Sequence, residues 1–200
     1  MPVSPTLVPY LAASDVIDHQ HPSVAAKAAS LAVGLVTETA VAEACFLFVR
    51  DAIRHSADSR QNPVTCAASE VLAHGTGFCY AKAHLLVALL RANGLPAGLC
   101  YQRLVLAPGS DRFCLHGLAA VHLSDFGWYR IDPRGNKPGV DARFDPPREY
   151  PAFPLRAPGE ADLPGILTEP LPEVLAALRR YATWDALLAH LPDRPVPTDA

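Results

Sequence analysis

Residues 75–96 read GTGFCYAKAHLLVALLRANGLP, and this stretch decides the fold. Two glycines precede a cysteine, and roughly four turns of helix-favouring residues follow before Asn93, Gly94 and Pro96 end the run. One face of the predicted helix is apolar throughout, which is typical of a helix packed against a sheet in the middle of a domain. The sequence therefore predicts a central helix with Cys79 in its first turn.

The chain after this helix changes to patterns typical of strands. Three short runs, GLCYQRLVL at 98–106, FCLHGLAAVHL at 113–123 and GWYRIDP at 127–133, are separated by turn residues. They predict three successive antiparallel strands. The fold class is therefore α+β, with helices packed on an antiparallel sheet.

Two further helices and a loop are predicted before this stretch. Apolar residues recur at helical spacing over 22–35 and again over 39–55, where the first residue, a threonine, is expected to cap the helix. Residues 56–63 are rich in Ser, Asp, Asn and Pro and predict a loop. Thr65 is expected to cap a short helix that Gly75 ends in a left-handed conformation.

The end of the chain is rich in proline. The run PPREYPAFPLRAPGEADLPG at 146–165 is too proline-rich to predict regular structure, and helices are predicted around 172–181 and 184–190. The Phe, Tyr and Leu residues in this part favour a strap that packs on the core over a disordered tail.

The composition is that of one compact domain, since half of the chain is hydrophobic and 18% is charged. We expect a single domain over 1–200, with a core at 22–140 and the strap at 141–200. Lys and Arg number 17 against 20 Asp and Glu, giving a net charge of -3 without a basic stripe, so nucleic acid is not an expected partner.

Targeting and membrane signals are not evident in the sequence. The N-terminal residues lack the charged and apolar regions of a signal peptide, and no apolar run is long enough to span a bilayer. We therefore expect a cytoplasmic protein without a membrane partner. The oligomeric state is not indicated.

Cys79 is the candidate nucleophile. The reactive form of cysteine is the thiolate, and a helix N-terminus stabilises it with partial positive charge and free N–H groups. Gly75 and Gly77 remove side-chain bulk where a substrate backbone would approach. The alternative is that Cys79 is an ordinary buried cysteine at the start of a helix.

A base and an orienting carboxylate are predicted on the second and third strands. A turn at residues 123–125 would place His116 directly opposite Asp132, with their Cβ atoms about 4.5–5.5 Å apart, close enough for an imidazole to contact a carboxylate. Trp128 falls on the same predicted face. It either shields this pair from water or belongs to the sheet core.

The residues quoted above resemble the transglutaminase-like core of the papain-like cysteine enzymes, over roughly residues 39–136. In that family a glycine and a cysteine open an alanine- and leucine-rich helix, a histidine precedes a hydrophobic strand, and an aspartate closes the next strand. The resemblance implies that Cys79 is the nucleophile, His116 the base and Asp132 the orienting carboxylate. Gly117 and Leu118 depart from the Ala and Trp that usually follow the family's histidine.

An enzyme of this kind also needs donors for the oxyanion of the tetrahedral intermediate. The backbone N–H of Cys79 is the default donor. The motif does not identify the second donor, for which the candidates are His55, Gln61, Gln102 and Tyr101.

The other cysteines and histidines have plainer interpretations. The five cysteines are at 45, 66, 79, 100 and 114, without CxxC spacing and without a common zinc spacing. The sequence therefore predicts no disulfide framework, no metal site and no other cofactor. Cys45 and Cys100 are expected in the core, and Cys114 shares a strand face with His116. His84 is expected at a polar edge of the central helix.

The function predicted by these residues is cysteine-dependent acyl transfer or hydrolysis through a thioester at Cys79. The substrate would be a peptide, a protein or a small amide, cleaved at a peptide, isopeptide or amide bond. The alternative is a catalytically inactive or latent binding module with the same fold, because fold alone does not fix the reaction.

Overall fold

The structure, a computed structural model, describes residues 4–107 and 109–195. The helices are α1 (Pro22–Ala32), α2 (Glu38–Leu47), α3 (Ser56–Ser59), α4 (Ala68–His74), α5 (Cys79–Ala92), α6 (Pro172–Arg180) and α7 (Trp184–Ala189). The strands are β1 (Arg54–His55), β2 (Thr76–Gly77), β3 (Ala97–Val105), β4 (Phe113–Leu123), β5 (Gly127–Ile131), β6 (Arg143–Asp145), β7 (Arg148–Tyr150) and β8 (Ala161–Asp162). In the described residues, none of these helices has the length and apolar character needed to cross a membrane.

The centre of the fold is a four-stranded antiparallel sheet with α5 packed against it. Its strand order is β5-β4-β3-β8, and α5 contacts both β3 and β4. Helices α1, α2 and α4 pack on the other sides of α5, so that the helix is buried from Cys79 to Arg91. The predicted α+β architecture is confirmed, although α5 is enclosed on all sides and not on one face alone.

The segment from α2 to α4 differs from the prediction in its details. The cap of α2 is Thr37, whose Oγ1 accepts the N–H of Ala40 at 3.1 Å, and the expected cap at residue 39 is wrong. A π-helical turn, Phe48–Ala52, continues α2, and the chain then extends into β1. Part of the predicted loop forms α3. Thr65 does not cap α4, because its hydroxyl donates to the carbonyl of Thr76.

The hairpin of β4 and β5 has a register shifted by two residues from the predicted one. Its turn is closed by the N–H of Phe126, which donates to the carbonyl of Leu123 at 3.1 Å, and Gly127 follows with φ of 73°. This is a type I turn followed by a left-handed glycine, a common hairpin connection. Pairing then runs from Leu123 opposite Gly127 to Ala119 opposite Ile131. The paired part of β5 therefore ends before it reaches His116.

The C-terminal strap is more regular than its proline content predicted. β6 and β7 pair with each other, and β8 lies on the free edge of β3, where Asp162 is opposite Gln102. Helices α6 and α7 lie where they were predicted. Beyond α7, the carbonyl of Pro192 accepts the N–H of Leu115 at 2.7 Å, so the strap also follows β4 beyond the paired part of β5.

Candidate active site

Cys79 is the first residue of α5, and a short pair of parallel strands positions it. In that pair His55 of β1 lies opposite Gly77 of β2, two residues before the cysteine. A Cβ atom on Gly77 would lie 3.2 Å from that of Ala81, so the approach to the helix leaves little room for a side chain. Cys79 itself is 7% exposed.

The first turn of α5 lies against β4 at the place where β5 has ended. Tyr80 donates its hydroxyl to the carbonyl of Leu115, and a Cβ atom on Gly117 would lie only 2.9 Å from the ring of Tyr80. Gly117 is therefore required by the neighbouring tyrosine. This contact gives a physical reason for the departure from the family's usual alanine at that position.

His116 and Asp132 form a buried contact, although they are not directly opposite each other. His116 Nε2 lies 2.7 Å from Asp132 Oδ2, and the two residues are 4% and 0% exposed. His116 is opposite Gln102 on β3, while Asp132 follows the last residue of β5. The predicted register is wrong, but the structure brings together the two side chains that the sequence singled out.

The Asp132 carboxylate is held by backbone donors as well as by the imidazole. Its Oδ1 accepts the N–H of Arg134 at 3.0 Å, and its Oδ2 accepts the N–H of Ala152, in the strap, at 2.8 Å. Burial alone would raise the pKa of Asp132, but the charge and hydrogen bond of His116, together with these N–H groups, hold the pKa below its usual value. Asp132 is therefore an ionised carboxylate at neutral pH.

The pKa of His116 is raised to about 10. Burial opposes this change, but the negative charges of Asp132 and Cys79, and hydrogen bonds with both side chains, outweigh it. The imidazole is therefore protonated at neutral pH. Since Nε2 binds Asp132, Nδ1 is the ring nitrogen left to exchange a proton with a thiol or a substrate.

The aromatic residue beside the imidazole is Phe153. Its ring lies 5.1 Å from that of His116 in an edge-to-face arrangement. Trp128 is instead opposite His122 and packs against Tyr10 at 4.7 Å between ring centres. His122 and His116 are six residues apart on β4, about 20 Å along a strand, so Trp128 does not shield the pair.

In the described residues, three of the four oxyanion candidates make no hydrogen bond with Cys79. Gln102 donates its Nε2 to Asp162 at 3.0 Å. Tyr101 is on the opposite face of β3 from Gln102, in the buried core that includes Cys79, and its hydroxyl accepts the N–H of Leu171 at 3.3 Å. Gln61 lies in the turn after α3, and in the described residues its side chain makes no hydrogen bond with Cys79, His116 or Asp132.

The fourth candidate, His55, lies opposite Gly77, two residues before Cys79. Its ring packs edge-to-face on Phe78 at 5.6 Å. Its Nδ1 is buried, lies 3.8 Å from Asp58 Oδ2 and makes no hydrogen bond within the part of the chain that the structure covers. Burial, and after it the positive charge of Arg134, lower the pKa of His55 to about 3. The ring is therefore neutral and carries one N–H donor.

The other four cysteines are free thiols with raised pKa values. Burial raises the pKa of Cys45, Cys100 and Cys114 to about 12 each, and it also raises the pKa of Cys66. The expected polar position of His84 is wrong. His84 is fully buried, and its Nδ1 lies 2.8 Å from the carbonyl oxygen of Cys66.

Lys82 is a buried charged group that the sequence reasoning missed. It lies one turn after Cys79 in an otherwise apolar part of α5, and that position was the available signal. Its Nζ donates to the carbonyls of Arg50 and Ile53. Burial, and after it the charge of Arg134, lower its pKa to about 7.

Comparisons with known proteins identify the same part of the chain. Residues 25–133, more than half of the chain, match the family model of the transglutaminase-like superfamily core. No curated protein matches the chain.

Two solved structures have a similar fold. A candidate cysteine protease from Cytophaga hutchinsonii matches with a TM-score of 0.53 and 18% identity, over 66% of this chain and 43% of that one. The periplasmic domain of TgpA from Pseudomonas aeruginosa matches with a TM-score of 0.50 and 22% identity, over 66% of this chain and 48% of that one. At these identities the likeness concerns the fold alone, and this chain spans less than half the length of either.

Proposed function

Because the chain belongs to the transglutaminase-like superfamily, we propose that it is a cysteine-dependent acyl hydrolase that cleaves a peptide, isopeptide or amide bond through a thioester at Cys79. The family and the fold support a cysteine enzyme in general terms. The observation that carries the finer proposal is the buried His116–Asp132 contact of 2.7 Å next to the first residue of α5.

The mechanism proposed for these groups has two halves. The Cys79 thiolate attacks the scissile carbonyl, the electron pair of the C=O bond moves to oxygen, and protonated His116 gives its proton to the leaving amine as the C–N bond breaks. His116, now neutral, takes a proton from water, and the resulting hydroxide attacks the thioester. The acid product leaves and the Cys79 thiolate is restored, with the proton on His116.

Asp132 supports both halves of this mechanism without reacting itself. Its carboxylate holds Nε2 of the imidazole, so that Nδ1 is presented for proton transfer, and its negative charge stabilises the imidazolium.

We assign the second oxyanion donor to His55, with the backbone N–H of Cys79 as the first. His55 is neutral, lies opposite Gly77 and packs on Phe78, so one ring N–H is available beside the nucleophile. A neutral donor is suitable because it stabilises the oxyanion without competing with Asp132 for the imidazolium.

Replacing His55 with alanine is expected to lower kcat about a hundredfold, because loss of one oxyanion donor costs about that much. Alkylation of Cys79 by iodoacetamide forms no oxyanion, so its rate should change by less than about threefold. Asn at position 55, which retains an N–H donor, should restore part of kcat. If His55→Ala lowers alkylation and kcat equally, the residue supports the thiol and not the oxyanion.

The test of the proposed function is acylation of the full chain by an activated ester, such as a p-nitrophenyl ester, followed by acid quenching and mass spectrometry. The expected product is an acyl group on Cys79 that hydroxylamine removes, and Cys79→Ala should lose both this adduct and steady-state ester turnover. Cys45→Ala is the matched control, since that thiol lies in the core. Equal acylation of several cysteines, or turnover that survives Cys79→Ala, would contradict the proposal.

A second candidate, a latent enzyme, is favoured by the low exposure of Cys79 and His116, 7% and 4%. In a latent enzyme, Phe153 and the strap around it must move away from His116 before a substrate can enter. Limited proteolysis within the strap should then increase acylation of Cys79. Acylation at the same rate before and after cleavage would contradict latency.

A further inference from the structure

A second feature of the site is a pocket of about 360 Å³ whose wall includes His55. Five cationic side chains and two carboxylates line it. The cations are Arg50, Arg54, Lys82, Arg134 and Lys137, and the carboxylates are Asp51 and Asp58. The pocket therefore carries an excess of positive charge in a protein whose net charge is -3.

The two carboxylates are already engaged with three of the cations. Asp51 pairs with Arg50, and Asp58 accepts from both Arg134 and Lys137 at 2.6 and 2.7 Å. Within the residues described, Arg54 and Lys82 have no carboxylate partner. Arg54 is exposed, whereas Lys82 is fully buried and bound only to backbone carbonyls. The exposed guanidinium of Arg54 is therefore left to pair with an anion that enters the pocket, and Lys82 adds positive charge behind the pocket wall.

The pocket is lined by residues from the same elements that carry the proposed site. Lys82 is three residues after Cys79 on α5, a rise of about 4.5 Å along the helix axis. Arg134 is two residues after Asp132, and the β1–β2 pairing places His55 beside the turn that leads to Cys79. A substrate that reacts at Cys79 would extend into the pocket along these elements.

We propose that this pocket binds a carboxylate of the acyl substrate, so that the enzyme selects amides with an acidic side chain next to the scissile bond. The inference rests on the proposed function, because it assumes a substrate at Cys79. Arg54 is the exposed cation left to pair with that carboxylate, whereas Lys82, fully buried and hydrogen-bonded to two carbonyls, contributes through its charge alone. Because Lys82 is shielded from water, its charge acts more strongly on a bound anion than an exposed charge would.

The pKa of Lys82 is lowered by burial and, after it, by the positive charge around the pocket, which agrees with binding of an anion there. Its pKa of about 7 results from burial and from the neighbouring Arg134. A carboxylate bound beside Lys82 would raise that pKa again and keep the ammonium charged.

The experiment compares two labels of the same size, N-iodoacetyl-glutamic acid amide and N-iodoacetyl-glutamine amide. They differ only in a carboxylate and a carboxamide. The rate constant for labelling Cys79 of the full chain is measured for each by mass spectrometry, in the wild type, in Arg54→Gln and in Arg148→Gln. Arg148 is an exposed arginine on β7 outside the pocket and serves as the matched control.

The wild type is expected to favour the glutamic acid label about tenfold, which corresponds to about 1.4 kcal/mol. Arg54→Gln should reduce this preference to about threefold or less, and Arg148→Gln should keep it. A ratio near one in the wild type, or equal reductions in both variants, would overturn the inference while the proposed function stands. If neither label prefers Cys79 over the other four cysteines, the proposed function is wrong and the inference falls with it.

Discussion

Replacing His116 with alanine is expected to lower the rate of Cys79 alkylation by iodoacetamide about a hundredfold at pH 6. The pKa of His116 is raised to about 10, so its imidazolium persists throughout the acidic and neutral range and stabilises a thiolate beside it. Without that cation, Cys79 should react like an ordinary thiol, of which only about 0.3% is ionised at pH 6. A thiolate in an ion pair is intrinsically less nucleophilic than a free thiolate, so the rate changes by less than the ionised fraction does.

The pH profile gives the sign of this effect. In the wild type, labelling of Cys79 should remain fast from neutral pH down to well below pH 8.5, because the protonated form of His116 is favoured below its raised pKa. In His116→Ala the rate should rise only as the pH approaches 8.5.

Internal and matched controls are available for this measurement. The other four cysteines have raised pKa values and should label slowly at all these pH values. His122→Ala, on the same strand but packed against Trp128, should behave like the wild type. A Cys79 rate that is no faster than those of the other thiols, and that is insensitive to the His116 substitution, would remove the enzyme proposal and leave the binding module.

Asp132→Asn is expected to lower turnover about a hundred- to thousandfold and the free energy of unfolding by about 1–3 kcal/mol. The carboxylate accepts hydrogen bonds from His116, Arg134 and Ala152, whereas an amide has a single acceptor oxygen and its NH2 group faces a donor. The imidazole would lose both its orientation and the charge that keeps it protonated, and at least one buried N–H would lose its partner.

The two effects are measured separately, by kcat with an acyl substrate in the absence of denaturant and by urea unfolding. Asp141→Asn, at an exposed aspartate paired with Arg143, is the control for the substitution itself. Normal turnover in a destabilised Asp132→Asn protein would show that Asp132 supports the strap but takes no part in the mechanism.

The central part of the fold could be predicted because its signals are local and strong. Helix α5 has helix-favouring residues and a clear stop, and the three strands are separated by turns. The contact between His116 and Asp132 survived an error of two residues in register, because a shift by an even number keeps side chains on the same face. A diagonal neighbour on that face is still within reach of long side chains.

The rest of the site depends on contacts that have no periodic signal. His55 lies in a strand of two residues at the end of a predicted helix, and only its pairing with Gly77 brings it to the nucleophile. Phe153 comes from a proline-rich segment, thirty-seven residues after His116, and no pattern in that segment indicates its partner. The pairing of Asp58 with Arg134 and Lys137 likewise joins parts of the chain that are far apart in sequence.

The contact between Asp132 and the strap makes the active site larger than the motif that identifies it. The family match ends at residue 133, and a fragment cut there would retain Cys79, His116 and Asp132. It would lack Ala152 and Phe153. The Asp132 carboxylate would then lose the N–H donor of Ala152, and the His116 imidazole would lose its packing against the Phe153 ring. Transplanting the proposed chemistry into another protein would therefore require the strap as well as the three residues, and substitutions at residues 152 and 153 would tune the proposed triad from outside it.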